Sequence, residues 1–358
     1  IVECNKHPDA DKLNVCKVNI GAAEPLQIVC GAPNARVGIR VPCATVGAVL
    51  PGDFKIKDAK LRGVASSGML CSAKELGINP DASGLYELPA SGDNAAPVGE
   101  DIRSYLNLND TVYTIKLTPN RADCLSVRGV ARDVCALVGG EKAVSLTPLV
   151  IEPVAPNCGA TLPIRIDAPA ACGRFTGRVI KNLNAAALTP QWMVQRLERA
   201  GHRSISALVD ITNYVMLTLG QPMHVYDLDR LHGGLTARMA KAGESIKLLN
   251  EQTHEMQDDV LVIADDEKAV GMAGVMGSWD SKAELSTKNI FLEAAFFAPE
   301  VIQGKTRRYK FTSDAAHRFE RGVDFMGQIE ALEYATALVQ QICGGEGDEN
   351  PVQIGPVS

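Results

Sequence analysis

The sequence predicts an α+β protein of more than one domain, a small β-barrel followed by a mixed α/β domain. Three observations carry that prediction. Residues 1–110 read as short apolar runs punctuated by Gly31, Gly38, Gly47, Gly52 and Gly63, with hardly any helical periodicity. A stretch rich in proline and small residues, Pro148 to Ala160, marks a boundary. From Thr161 onward, strand-like runs alternate with segments whose apolar residues recur every three or four positions.

Composition narrows the class further. A chain of 358 residues, 46% hydrophobic and 22% charged, is long enough for two or three cores. No apolar run approaches the roughly 20 residues that span a bilayer, and no basic stretch with an apolar signal core opens the chain. A soluble, cytoplasmic protein without membrane contact is expected. The ten cysteines contain no C-x-x-C pair, which favours reduced, mostly buried thiols over zinc knuckles or a disulfide framework. The net charge of -6 argues against a general nucleic-acid coat, and no DNA partner is expected. Residues 1–62 nevertheless hold nine Lys or Arg against six Asp or Glu, so any nucleic acid would be gripped locally. The opening on Ile1 without Met, and the ending at P-V-Q-I-G-P-V-S, read as a piece of a longer chain in which residues 346–358 begin a further domain.

Taken in order, the first strands are expected at V-C-K-V-N-I, L-Q-I-V-C-G, R-V-P-C-A-T-V, F-K-I-K-D-A-K-L and S-G-M-L-C-S. Lys55, Lys57, Lys60 and Arg62 recur at nearly alternate positions, which on one strand would line a face with positive charge suited to a phosphate backbone. An ordinary solvated face is the competing reading, and composition alone favours it. Residues 111–157 read as a connecting segment. There a strand should run from Tyr113 to Thr118, followed by a helix capped by Asp123 or Ser126, with Leu125, Val127, Val130, Val134 and Leu137 as its apolar face and Gly139 and Gly140 as its stop. In the domain at 158–345, Thr189 is the expected cap of a helix that starts with Pro190 and ends before Gly201. A second helix carries Leu208, Ile211, Val215 and Leu219 and stops at Gly220. Further strands are expected at I-R-I-D, F-T-G-R-V-I, L-T-A-R-M, V-L-V-I-A, A-V-G-M-A-G-V-M-G and N-I-F-L-E-A-A-F-F, and a helix over residues 326–343 closes the domain.

The last strand carries the chemistry. Glu293 stands alone among Ile290, Phe291, Leu292, Ala294, Ala295, Phe296 and Phe297. It lies either on the wet face of a half-buried strand or in an apolar pocket, where its charge costs several kcal/mol unless a hydroxyl hydrogen-bonds it. A cationic run follows, with Lys305, Arg307, Arg308 and Lys310, which suggests a small polar guest carried on a polyanion. His224 after Q-P-M and His317 are, on residue type alone, more often structural histidines than catalytic ones. No metal-ligand spacing joins them to Glu293, and no metal or cofactor is expected in this chain.

Two resemblances add to this reading. H-P-D-A-D-K-L-N-V-C, Q-I-V-C-G-A-P-N, A-T-V-G-A-V-L-P-G and I-K-D-A-K-L-R-G-V-A-S-S-G-M-L-C-S resemble the EMAP-like tRNA-binding OB domain. T-P-N-R-A-D-C-L-S-V-R-G-V-A-R-D, V-D-I-T-N-Y-V, L-G-Q-P-M-H-V-Y-D, L-E-A-A-F-F-A-P and S-D-A-A-H-R-F-E-R-G-V-D, in that order, resemble the bacterial phenylalanyl-tRNA synthetase β subunit. The resemblance implies an OB domain followed by an editing domain that hydrolyses Tyr-tRNA(Phe), inside a class II ligase of two α and two β chains. ATP and Mg2+ would serve the whole enzyme, with the α subunit doing the aminoacylation; this chain shows no P-loop and no class II signature. By the same resemblance Glu293 reads the tyrosine hydroxyl and His224 lies in the pocket. Gly277 and Ala315 leave room for the ring, and Thr212 and Asn213 sit at its edge. Ser313 stands where the family often has Thr, and Ser278 where a second Gly is common. Lys55, Lys57, Lys60, Arg62, Lys305, Arg307 and Arg308 are the expected tRNA contacts. The alternative is a non-catalytic tRNA-binding scaffold, which would have no use for a carboxylate at position 293.

Overall fold

The computed structural model describes residues 1–78, 80–92, 95–139, 145–347 and 352–354. They divide into two compact units, Ile1–Tyr113 and Thr114–Ser358, so that residues 114–157 group with the second unit. Gly140 and most of residues 346–358, expected to stop a helix and to open a further domain, lie outside the described residues.

In the first unit, strands Glu3–His7, Ala10–Val18 and Leu26–Cys30 form an antiparallel meander, with Cys4 opposite Cys16 and Cys16 opposite Ile28. Beyond it the ladder fragments into Cys43–Ala44 with Met69–Leu70, Val49–Leu50 with Phe54–Lys55, and Ala59–Leu61 with Val64–Ser66. Among the described residues no sheet closes on itself. Asp53 and Arg62 turn at positive φ (58° and 46°) on either side of the run expected from Phe54 to Leu61, and the run itself is split: Phe54–Lys55 pairs back to Val49–Leu50 and Ala59–Leu61 forward to Val64–Ser66. Cys16, Val18, Ile28, Ile39, Leu70 and Leu85 form one small core, and Ala44, Ile56 and Cys71 a second, with Leu50 and Met69 packed against it.

The second unit is built on two five-stranded sheets. In the first, Ile290–Phe297 lies between Met223–Asp227 and Cys172–Lys181, antiparallel to both. The second runs Ile164–Ile166, Leu235–Met239, Leu261–Ala264, Ala269–Met272, Met276–Gly277, with its first pair parallel. Helices Gln191–Arg199, Ala207–Leu219 and Gln328–Cys343 cover one face of the first sheet, where Leu292, Ala294 and Val225 meet Leu197, Ile211, Val215, Leu332 and Val339. The other face, with Phe291, Ala295, Phe175 and Tyr226, packs against Leu261, Ile263, Val270 and Met272 of the second sheet. Burial on both faces explains why Ile290–Phe297 reads as an unbroken apolar run.

Several elements depart from expectation. The run from Ala269 to Gly277 is a hairpin, since Gly274 turns it at φ +69°. Tyr113 to Thr118 is not in a ladder. Helix Val127–Val138 is capped by Ser126, whose hydroxyl accepts from the Gly129 amide at 3.0 Å, yet its expected apolar face is largely exposed, Leu137 to 78%. Thr189 caps no helix; its hydroxyl donates to buried Asp210 at 2.5 Å, which also accepts from Ser204 and the Ile205 amide. All ten cysteines are free, six of them buried. No helix among the described residues is long and apolar enough to cross a membrane.

Candidate functional site

Strand parity decides where Glu293 points. Side chains alternate along a strand, so Glu293 shares the face of Phe291 and Ala295 and projects between the two sheets. It is buried, 6% exposed, which selects the pocket reading over the wet face. Opposite it in register stand Gly177 on one neighbouring strand and His224 on the other. A side chain at Gly177 would collide with the Phe291 ring, so glycine there leaves room for that ring.

The acid does not face an empty apolar wall. Tyr226, two residues beyond His224 and therefore on its face, donates its phenolic hydroxyl to Glu293 Oε2 at 2.6 Å. Sequence reasoning passed over this residue; the signal was the H-x-Y spacing on a strand that pairs with the Glu293 strand. Burial pushes the Glu293 carboxyl up to about 7, with the Tyr226 hydrogen bond pulling the other way. The Tyr226 phenol is itself driven well above its ordinary range by burial and by the neighbouring carboxylate. The other Glu293 oxygen makes no hydrogen bond among the described residues.

His224 lies edge-on to Tyr226, with ring centroids 4.4 Å apart. Its Nε2 is buried and unpartnered among the described residues, and burial lowers the imidazole to about 4, so it is neutral at pH 7. The second sheet supplies the opposite wall. A Cβ at Gly277 would overlap the His224 ring, so the space expected for a guest at this glycine is taken up by the histidine. Ser313 caps the helix Asp314–Phe319, accepting from the Ala316 amide, and donates to the Val275 carbonyl at 2.7 Å. That bond ties Ser313 and its neighbour Ala315 to the hairpin that carries Gly277.

The structure does not draw every expected residue together. Thr212, on the helix Ala207–Leu219, spends its hydroxyl on the Val209 carbonyl, and no hydrogen bond joins Thr212 or Asn213 to Glu293 or His224. His317 is exposed on its helix. Lys305 and Arg308 are already engaged by Asp259, at 2.6 and 2.5 Å, and the hydrogen bonds from Arg308 and Lys305 hold that carboxyl below the usual range; Arg307 stays exposed. In the first unit Lys55, Lys57, Lys60 and Arg62 are all exposed but do not line one strand: Lys55 and Lys60 belong to different hairpins, and Arg62 sits in a turn. Lys55 and Lys57 do border a groove of about 970 Å³, together with Phe54, Ser66 and Lys74. A second cavity, of about 360 Å³, lies away from Glu293 among Ser126, Arg128, Arg132, Gln221 and Arg318. No group of three or more residues suited to a metal ion occurs among the described residues.

Comparison with known proteins sets this geometry beside its relatives. Residues 171–344 match the family described as "B3/4 domain", and residues 1–97 match the one described as "Putative tRNA binding domain". Across 97% of its length the chain is 57% identical to the phenylalanine–tRNA ligase beta subunit of Chromobacterium violaceum and 56% identical to that of Cupriavidus pinatubonensis. Along nearly all of its length the chain is similar to phenylalanine–tRNA ligase beta subunits. It spans 43% and 42% of those two relatives. The beta subunit of Neisseria meningitidis serogroup A is 56% identical over 96% of this chain and 43% of its own length. A solved N-terminal fragment of the phenylalanyl-tRNA synthetase beta subunit from Pyrococcus horikoshii aligns with a TM-score of 0.36 and 14% identity, over 67% of this chain and 65% of the fragment, a likeness too distant to carry an argument. Glu293, His224, Tyr226 and Gly277 all fall inside the B3/4 match, and Lys55 and Lys57 inside the tRNA-binding match.

Proposed function

We propose that this chain binds tRNA(Phe) and hydrolyses Tyr-tRNA(Phe) at the Glu293 site, as the editing part of a class II phenylalanine–tRNA ligase. The observation that carries the reading is the Tyr226 hydroxyl on Glu293: a carboxyl enclosed between two sheets is already matched to a phenol. Phenylalanine and tyrosine differ by that one hydroxyl. An apolar pocket that admits phenylalanine cannot strongly reject tyrosine, whereas a site with a buried acceptor rejects the ring that leaves it unpaired. Glu293 therefore serves specificity, its free oxygen taking the hydroxyl of the misplaced tyrosine.

Hydrolysis itself falls to water. With its imidazole neutral and Nε2 unpartnered, His224 can hold the water or the ester end by a hydrogen bond. Backbone amides near Gly277 and Ala315 would polarise the ester carbonyl, and a ribose hydroxyl of the substrate would assist. Ser313 fixes the Ala315 helix against the hairpin, and Thr212 with Asn213 would lie at the edge of the ring pocket. No metal or cofactor takes part in this hydrolysis; ATP and Mg2+ are used by the α subunit during aminoacylation, in an assembly of two α and two β chains in the cytoplasm. The first unit would seat RNA along the groove bordered by Lys55 and Lys57, with Lys60 and Arg62 beside it; the exposed Arg307 would be a separate contact on the second unit. The experiment is to incubate Tyr-tRNA(Phe) with the chain, alone and with the α subunit. Release of tyrosine is expected; intact ester in both mixtures would leave the tRNA-binding scaffold as the better account.

A further inference from the structure

Beyond the Glu293 pocket, the segment that carries Gly277 continues into a cluster no part of the hydrolysis uses. From Gly277, which touches the His224 ring, the chain runs through Trp279 to Lys282, which bridges to Tyr226; the Asp227 amide donates to the Ser281 carbonyl at 3.0 Å. Both ends of this short segment are thus anchored on the strand that carries His224 and Tyr226. Between them the half-buried Trp279 ring holds two ammonium groups, Lys282 Nζ at 3.0 Å and Lys247 Nζ at 4.9 Å from its centroid. The Trp279 amide donates to the Lys247 carbonyl at 2.8 Å, which keeps the two residues side by side.

Two like charges gathered on one ring repel; Lys282 shares Glu284 with Arg230, at 3.5 and 2.6 Å, whereas Lys247 is exposed and has no acid partner among the described residues. Asp280 is taken by Lys268 at 2.8 Å. The ring face concentrates positive charge and an anionic guest would relieve the repulsion.

We propose that Trp279, Lys247 and Lys282 form a receptor for the phosphodiester backbone next to the 3′ end of an RNA, holding that end while its terminal ester lies in the Glu293 pocket. The identity of the guest rests on the hydrolytic reading of that pocket. The cluster positions the substrate and touches no reacting atom. Its removal should therefore act on KM for the whole RNA and leave phosphate-free esters alone.

The test compares the chain with the Lys247→Ala/Lys282→Ala double variant, Trp279→Ala and Trp279→Phe, in the presence of the α subunit. For Tyr-tRNA(Phe), the double variant and Trp279→Ala should raise KM about tenfold with kcat unchanged, and the double variant should flatten the salt dependence by about one unit of slope per lost contact. Trp279→Phe, which keeps a ring for the ammonium groups, should restore most of the loss. Hydrolysis of tyrosyl-adenosine, which lacks phosphate, should be the same in all four proteins. An unchanged KM and salt slope in the double variant overturns the proposal, as does an equal loss on both substrates, which would indicate a purely structural cluster. Should the unaltered chain cleave neither ester, the hydrolytic reading fails separately. The receptor is then decided by affinity for an uncharged acceptor-stem RNA with a single-stranded 3′ end: a weaker, less salt-sensitive complex of the double variant supports it, and identical binding overturns it.

Discussion

At Glu293 a carboxyl that water would ionise at neutral pH is held where its charge is costly. Its folded pKa is about 7 against an ordinary 4.5, so between those values the unfolded chain gives up a proton that the folded chain keeps. The stability contributed by the protonated acid is complete below about pH 4.5 and is lost as pH rises through 7. His224, lowered from 6.5 to about 4, slopes the other way: its contribution is present above 6.5 and is lost as pH falls through 4. The two slopes oppose each other over the acid range, so the readable quantity is a difference. Relative to the unaltered chain, Glu293→Gln should gain stability from pH 5 to pH 8, by an amount on the order of 3 kcal/mol, in urea melts at the two pH values. A constant difference between the two proteins would mean that Glu293 is not held in its neutral form. Tyr226→Phe should cost roughly 1–3 kcal/mol by removing the hydroxyl that serves the buried acid, and should move that pH window upward, since the Tyr226 bond now pulls the Glu293 pKa down.

Elements bring these residues together, and here the sequence was legible in part. The Glu293 strand could be read from its apolar run, and the helices ending at Gly201 and Gly220 from their stop signals, because a glycine at φ +85° is a local event. The pairing partners of that strand could not be read, since which strands flank it depends on contacts far along the chain. That is why His224 was reached only through resemblance, and why Tyr226 was passed over. The Ala269–Gly277 hairpin was hidden for a related reason: its glycines read as part of a strand until Gly274 is seen to reverse the chain. Lys305 and Arg308 looked like free cations because Asp259, their partner, lies more than forty residues earlier. Two consequences follow at this scale. Gly277→Ala should dislodge the His224 ring and reduce hydrolysis of the tyrosyl ester at least tenfold while circular dichroism stays unchanged, since the clash is with one side chain. Lys305→Ala should cost stability by about 1 kcal/mol through the Asp259 pair, and change tRNA affinity less than a substitution at Lys55 or Lys57 does.

Across the whole molecule, a tRNA-binding region and a B3/4 domain occupy one chain that spans about two fifths of the relatives it matches. The mixed α+β character was legible in the pattern of apolar runs; the closed barrel expected for the first unit is not formed among the described residues, where the later strands are only two or three residues long. Negative overall charge with a positive first segment predicts a local, salt-sensitive grip on RNA. Lys55→Ala/Lys57→Ala should weaken binding of tRNA(Phe) and of unrelated tRNAs alike, with a salt slope reduced by about two, measured by filter binding over a salt series. The central claim is that Glu293 distinguishes one ring from another by its hydroxyl. The most direct measurement is the ratio of kcat/KM for Tyr-tRNA(Phe) over Phe-tRNA(Phe), in the unaltered protein and in Glu293→Ala, both with the α subunit. The account predicts a ratio far above one that collapses toward one in the variant, through slower cleavage of the tyrosyl ester. A variant that keeps the ratio would contradict it.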